Sequence, residues 1–189
     1  MAAPPLRADA ARNLELILEA AEEAFAEKGH DACVADIATR AGVGQATIFR
    51  RFQTKDDLIG AVFERKVAKV DEALDAACRK SDAWAGLLAF MKIITEMQAR
   101  DRGVFEGFAE QLKTDPARQK RKQEMMRKVE GLVERAKAEG TLRSDITVED
   151  IHALTVAAAQ AATMGPNPSL RAAKRYLAVI TDGMRAGAA

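Results

Sequence analysis

The sequence predicts an all-α protein of about nine helices, with an N-terminal three-helix helix-turn-helix domain followed by a C-terminal helical bundle domain. Three observations carry this expectation. Ala, Leu, Glu, Lys and Arg are abundant and aromatics make up only 5%, and such side chains lose little rotamer freedom in a helix. Gly at 12 and Pro at 5 leave few breakers for the turns of a sheet protein. Apolar residues recur at three- and four-residue steps, and no segment alternates with the two-residue period of a strand.

Residues 1–8, with Pro4 and Pro5 and no apolar period, read as a flexible arm carrying Arg7. Asp9 is the expected N-cap of a first helix, which carries Leu14, Ile17, Ala21, Ala24 and Phe25 and stops at Gly29. A second helix fits Val34 to Ala41 and is broken by Gly42. A third covers roughly Gly44 to Phe52, which puts a helix-turn-helix at about 33–52 within a first domain of 9–53. Thr54 opens a fourth helix and a second domain, 54–189. Asp57 three residues on makes a near capping box, and Leu58, Val62, Val67 and Val70 carry the helix to about Lys80. Ser81 and Asp82 restart the chain into a fifth helix, Ala83 to Arg100. Gly103 and Pro116 delimit a short sixth helix with Phe105, Phe108 and Leu112. Pro116 and Gly140 bracket a long seventh, following the preference for Pro at the start and Gly at the end. Thr147 caps an eighth running to about Met164, and GPNPS separates it from a ninth over Leu170 to Arg185.

The net charge of +1 gives no global basic signature. Local charge is more informative: Arg40, Arg50, Arg51 and Lys55 fall in a stretch without an acid, after a Glu-rich start. That stretch overlaps VADIATRAGVGQATIFRRF, whose residue types suit two short helices crossing closely. Ala38 keeps the crossing small, and Gly42 supplies a left-handed turn residue that would cost a side chain roughly 1 kcal/mol or more. Ile37, Val43, Ile48 and Phe52 close the core beneath. Helical spacing then turns Gln45, Thr47, Arg50 and Arg51 toward other faces, as polar and cationic groups suited to nucleic acid.

The run AGVGQATIFRRFQTKDDLIGAVF, together with AFAEKGHDA at the end of the first helix, resembles the TetR family of transcriptional regulators over about residues 10–65. The resemblance implies a homodimeric repressor that binds double-stranded operator DNA and is released by an apolar or amphipathic small-molecule inducer. It implies that Gln45, Ala46 and Thr47 face base edges in the major groove, Gln being suited to bidentate contact with adenine. Phe49, Arg50, Arg51, Thr54 and Lys55 would lie along the phosphates, where contacts set orientation and salt dependence. The N-terminus of the fourth helix would add backbone N–H donors. Two positions depart from the family pattern. Phe49 stands where Tyr is usual, which removes a hydroxyl for a phosphate, and Cys33 stands where Thr is common.

In the second domain Phe90, Ile94, Met97, Phe105, Phe108 and Met125 are the candidate inducer-binding residues, with Met91 and Met126 alongside, because Met and Phe adapt to irregular apolar ligands. Core packing accounts for the same pattern equally well. Thr95, Gln98, Glu110 and Gln111 are candidate polar groups there. A dimer surface is expected from Leu170, Ala173, Leu177, Ile180 and Met184 on the last helix, beside Ala153, Ala157, Ala158 and Ala161 on the preceding one.

Other function classes find little support. Cys33 and Cys78, far apart, give neither metal spacing nor a disulfide framework, and no cofactor is implied. Cys33 reads as a small buried residue, with a redox thiol as the alternative. His30 and His152 are too few and too separated for a metal site or a His-based catalytic group. Lys113, Arg118, Lys120, Arg121 and Lys122 read as a solvated face rather than a second nucleic-acid patch. The first residues lack the apolar core of a signal peptide and no apolar run reaches the roughly 18 residues needed to span a bilayer, so a cytoplasmic protein is expected. The absence of a phosphate loop or nucleophile elbow argues against an all-helical enzyme. A constitutive DNA-binding regulator without ligand control remains an alternative.

Overall fold

A computed structural model describes residues 5–100, 115–164 and 169–187. Eight α-helices lie among them: α1 (Pro5–Lys28), α2 (Val34–Ala41), α3 (Gln45–Arg51), α4 (Lys55–Cys78), α5 (Ala83–Arg100), α6 (Pro116–Ala138), α7 (Val148–Met164) and α8 (Leu170–Met184), with a 3-10 turn at Gly29–Asp31 after α1. The short helix expected between Gly103 and Pro116 lies outside the described residues. No strand forms among the described residues. One isolated bridge, Leu142 to Arg185, clips the chain after α8 onto the loop after α6.

Local chemistry sets most boundaries. Asp115 caps α6, its carboxylate accepting from the N–H of Ala117 at 2.9 Å and of Arg118 at 3.4 Å, with Pro116 in the first turn. Gly140 follows α6 at φ 66°. Thr147 and Asp150 exchange reciprocal bonds at the start of α7 (2.9 and 3.2 Å), and the Ser169 hydroxyl accepts from Ala172 N–H at the start of α8. The first helix departs from expectation. It begins at Pro5, so Asp9 lies within α1 and caps nothing, because Pro needs no N–H partner in the first turn and its φ is preset for a helix.

The described chain divides into two compact units, the first ending at Lys66 and the second beginning at Val67, so the division falls inside α4. In the first unit Leu58, Ile59, Val62 and Phe63 of α4 are buried, as are Ile17, Ala21 and Phe25 of α1. Arg65 fastens α4 to α1 by pairing with Glu15 (2.7 Å), Glu22 (3.0 Å) and Glu19 (3.4 Å). In the second unit α5 packs against α6, α7 and α8. Leu74, Leu87, Met91, Leu132, Leu177 and Met184 sit at its core. Gly86 lets α5 approach the end of α4: a Cβ there would lie 2.6 Å from the Ala77 carbonyl oxygen.

Candidate nucleic-acid interface

The site begins with the crossing of α2 and α3. Ile37, Ala38, Ala41, Ile48 and Phe52 are buried together with Ala32. Gly42 ends α2 in the left-handed conformation (φ 67°, ψ 28°), with its N–H bonded to the Thr39 carbonyl at 3.2 Å and the Val43 N–H to the Ala38 carbonyl at 3.0 Å. These bonds satisfy the last carbonyls of α2 while turning the chain toward α3.

Burying Ile48 and Phe52 fixes the rotation of α3. Gln45, Ala46, Phe49, Arg50 and Arg51 are exposed and Thr47 is half-buried. Phe49 is 46% exposed, an apolar ring on an otherwise polar surface. The Arg50 guanidinium donates to the Thr47 hydroxyl at 3.1 Å, whereas Arg51 has no partner among the described residues. Thr54, exposed, forms a reciprocal box with Asp57 (2.9 and 3.1 Å) that starts α4. Lys55 is half-buried, and its ammonium donates to the His30 carbonyl.

Two pairings were not legible beforehand and narrow the basic surface. Arg40, counted among the local cations, is bidentate to Glu27 of α1 (3.0 and 2.5 Å), and Lys28 pairs with Asp36 at 2.8 Å. The Arg40 hydrogen bond holds the Glu27 carboxyl below its ordinary value, and Lys28 does the same for Asp36 while its own ammonium is raised. Pairing of Arg40 leaves Arg50 and Arg51 of α3 as the exposed cations of the 40–55 stretch without an acidic partner among the described residues. Cys33 is not the small buried residue expected: it is exposed at the N-cap of α2, with no side-chain cap bond. Its main chain makes the extended entry to the helix, which leaves the side chain outside the core.

The second-unit candidates fall into one cluster. Phe90 is buried in the core, and Ile94, Met97 and Met125 are half-buried against it. Phe105, Phe108, Glu110 and Gln111 lie outside the described residues. Thr95 is fully buried, with no hydrogen-bond partner for its hydroxyl among the described residues. Gln98 is half-buried. Within the cation-rich stretch Arg121 binds Asp71 at 2.6 Å and Arg118 binds Asp115 at 3.4 Å, Lys120 and Lys122 are exposed, and Lys113 lies outside the described residues. Among the described residues no cluster of His, Cys, Asp or Glu could hold a metal ion, and no helix is long and apolar enough to cross a membrane.

Two short helices crossing on a buried alanine, a left-handed glycine between them and a polar, cationic outer face on the second define a helix-turn-helix DNA-binding protein. Residues 17–62 match the family described as bacterial regulatory proteins, tetR family, and residues 82–186 match the SbtR-like transcriptional regulator C-terminal domain. The chain belongs to the TetR family of transcriptional regulators. It is similar to the TetR transcription regulatory protein from Mycobacterium vanbaalenii, at 30% identity over 96% of this chain and 99% of that one, with a TM-score of 0.70. For the TetR transcriptional regulator SCO0520 from Streptomyces coelicolor the figures are 28%, 92% and 98%, with a TM-score of 0.71. The HTH-type transcriptional repressor Rv3405c of Mycobacterium tuberculosis is 44% identical over 59 residues, a match that spans 31% of this chain and 31% of that protein.

Proposed function

We propose that this protein is a cytoplasmic homodimeric repressor that grips operator DNA through α3 and releases it when an apolar or amphipathic small molecule enters the second unit. The exposed row Gln45, Ala46, Phe49, Arg50 and Arg51, held outward by buried Ile48 and Phe52, is the observation that carries the reading. Gln45, in the first turn of α3, and Ala46 and Thr47 beside it take the base edges. Phe49 offers an apolar face to a thymine methyl or sugar, and Arg50 and Arg51 hold phosphates. Thr54 and Lys55 line the start of α4, where free N–H groups favour an anion. Selection of bound genomic fragments, followed by footprinting, tests this: two half-sites about one helical turn or a multiple apart are expected. Binding without sequence preference would overturn it.

The second copy is proposed to dock on the last two helices, through a surface that keeps the expected Ala153, Ala157 and Ala161 of α7 but not buried Ala158 or the expected stripe on α8. Ala173, Leu177 and Met184 are buried within their own unit. The outward apolar positions are Val179 on α8 and Met164 on α7, with exposed Ala153, Ala157 and Ala161 along α7. Phe90, Ile94, Met97 and Met125, with Phe105 and Phe108, are proposed to admit the effector. α4, unbroken from Lys55 to Cys78 and belonging to both units, would carry its effect to the DNA end. Linkage makes that effect reciprocal: a coupling of roughly 1–3 kcal/mol weakens operator binding about 5- to 150-fold, and operator weakens effector binding equally.

A further inference from the structure

We propose that the Thr95 hydroxyl is a binding group for the effector, and that the effector is a neutral, mainly apolar molecule presenting a carbonyl or hydroxyl oxygen to it. The inference rests on the effector reading above and specifies its chemistry.

Thr95 is 1% exposed, and its Oγ1 has no partner among the described residues. A buried hydroxyl without a hydrogen bond is a standing cost to the fold, and a helical threonine has an easy way to avoid it by turning its hydroxyl onto the carbonyl three or four residues back. The two other buried threonines among the described residues of the second unit do so. Thr155 donates to the Ile151 carbonyl at 2.6 Å and Thr181 to the Ala178 carbonyl at 3.1 Å. Exposed Thr39 bonds Ala35 in the same way at 3.0 Å. Thr95 makes no such bond, so its donor and lone pairs remain available to a guest.

The other buried orphan, Trp84 Nε1, lies in the first turn of α5, eleven residues earlier and on the same helical face. That end is closed. Arg185 lies over the indole at 5.4 Å, Glu139 accepts from the Ala83 N–H at 3.0 Å, and Arg135 donates to the carbonyls of Cys78, Lys80 and Ser81. Toward the other end of α5 the side chains are more adaptable. Met91 precedes Thr95 by one turn, half-buried Gln98 follows by one turn, and Ile94, Met97 and Met125 pack on the edge of the core. Unbranched methionines can move aside for an irregular guest. An ionic group beside Met91 and Leu87 would lose more hydration than a single hydroxyl bond restores, whereas for a ketone or alcohol oxygen the Thr95 hydrogen bond is enough to offset the loss.

The test uses the full-length protein and three probes: 2-octanone, its isostere 2-methyl-1-octene, and octanoate. Binding is followed by calorimetry and by Trp84 fluorescence, alongside melting of the unliganded protein and operator affinity. Wild type is expected to bind 2-octanone about three- to tenfold more tightly than the isostere, and octanoate more weakly than the ketone. Thr95→Val should erase the preference for the ketone, and Thr95→Ser should keep it. The unliganded Thr95→Val protein should melt at or above the wild-type temperature, since it loses an unsatisfied hydroxyl. No binding of 2-octanone, a preference that survives in Thr95→Val, tighter octanoate than ketone, or a several-degree loss of melting temperature in Thr95→Val would each overturn the proposal. The effector reading fails separately: Thr95-dependent binding of the ketone that leaves operator affinity unchanged would sink that reading and leave the binding site standing.

Discussion

The ammonium of Lys55 donates to the main-chain carbonyl of His30, tying the first turn of α4 to the 3-10 turn that follows α1. Lys55 therefore has a structural duty as well as a position beside the proposed DNA path, and Arg51 lacks such a duty. Lys55→Ala is expected to cost on the order of 1 kcal/mol of stability and also to weaken operator binding. Arg51→Ala should leave the melting temperature unchanged, weaken all DNA sequences similarly, and flatten the slope of log affinity against log salt by about 1. Thermal melts and salt titrations of the two variants check this.

Gln45 begins α3 with its side chain exposed. Gln45→Ala is expected to weaken operator binding by about 1–3 kcal/mol and to relax preference at one base pair per half-site. Affinities for a set of singly substituted operators measure this. An equal loss across all sequences would assign base readout to another residue.

Leu177 and Val179 are two residues apart on α8 and have opposite surroundings: Leu177 is 1% exposed and Val179 is 66% exposed. Val179→Asp is expected to give a folded monomer with poor operator affinity, and Leu177→Asp to lose the fold. Sedimentation with circular dichroism separates the outcomes. A folded dimer of Val179→Asp would remove the proposed docking surface.

Glu27 and Asp36 join α1 to α2 through Arg40 and Lys28, whose hydrogen bonds hold both carboxyls below their ordinary values. The folded protein binds these protons less readily than the unfolded chain. The stability they contribute is therefore complete above the unfolded-chain carboxylate pKa and is lost as pH falls through the depressed folded values. Lys28 is raised, so its contribution is lost only as pH rises through that raised value, well on the alkaline side. The pair of substitutions Glu27→Gln and Asp36→Asn should lower the melting temperature at neutral pH, and the gap from wild type should close in acid below the ordinary carboxylate range. Melting curves across that range provide the measurement.

Gly86 lies so close to Ala77 that a Cβ would meet the carbonyl oxygen at 2.6 Å, a backbone atom that cannot swing away. Gly86→Ala is expected to destabilise the second unit by about 1–3 kcal/mol despite the higher helix propensity of alanine. Denaturant unfolding would show it, and a variant more stable than wild type would mean that α5 can retreat from α4 without loss.

The sequence by itself determined where most helices lie, because their boundaries are set by neighbours in the chain. Gly42, the Thr54–Asp57 box, Pro116 with Asp115, and the Thr147–Asp150 box each act over a few residues. It also determined which face of α3 points outward, since Ile48 and Phe52 leave only one rotation that buries both. Only the tertiary structure decided that Arg40 is neutralised by Glu27 and that Lys55 binds the His30 carbonyl, because these partners lie 13 and 25 residues away. The same holds for α8. An apolar stripe of Ala173, Leu177 and Met184 declares that these residues share a face, but helical periodicity is identical whether that face meets its own core or a second chain. Packing against α5 and α7 settles the choice, turning Leu177 inward and leaving Val179 to solvent.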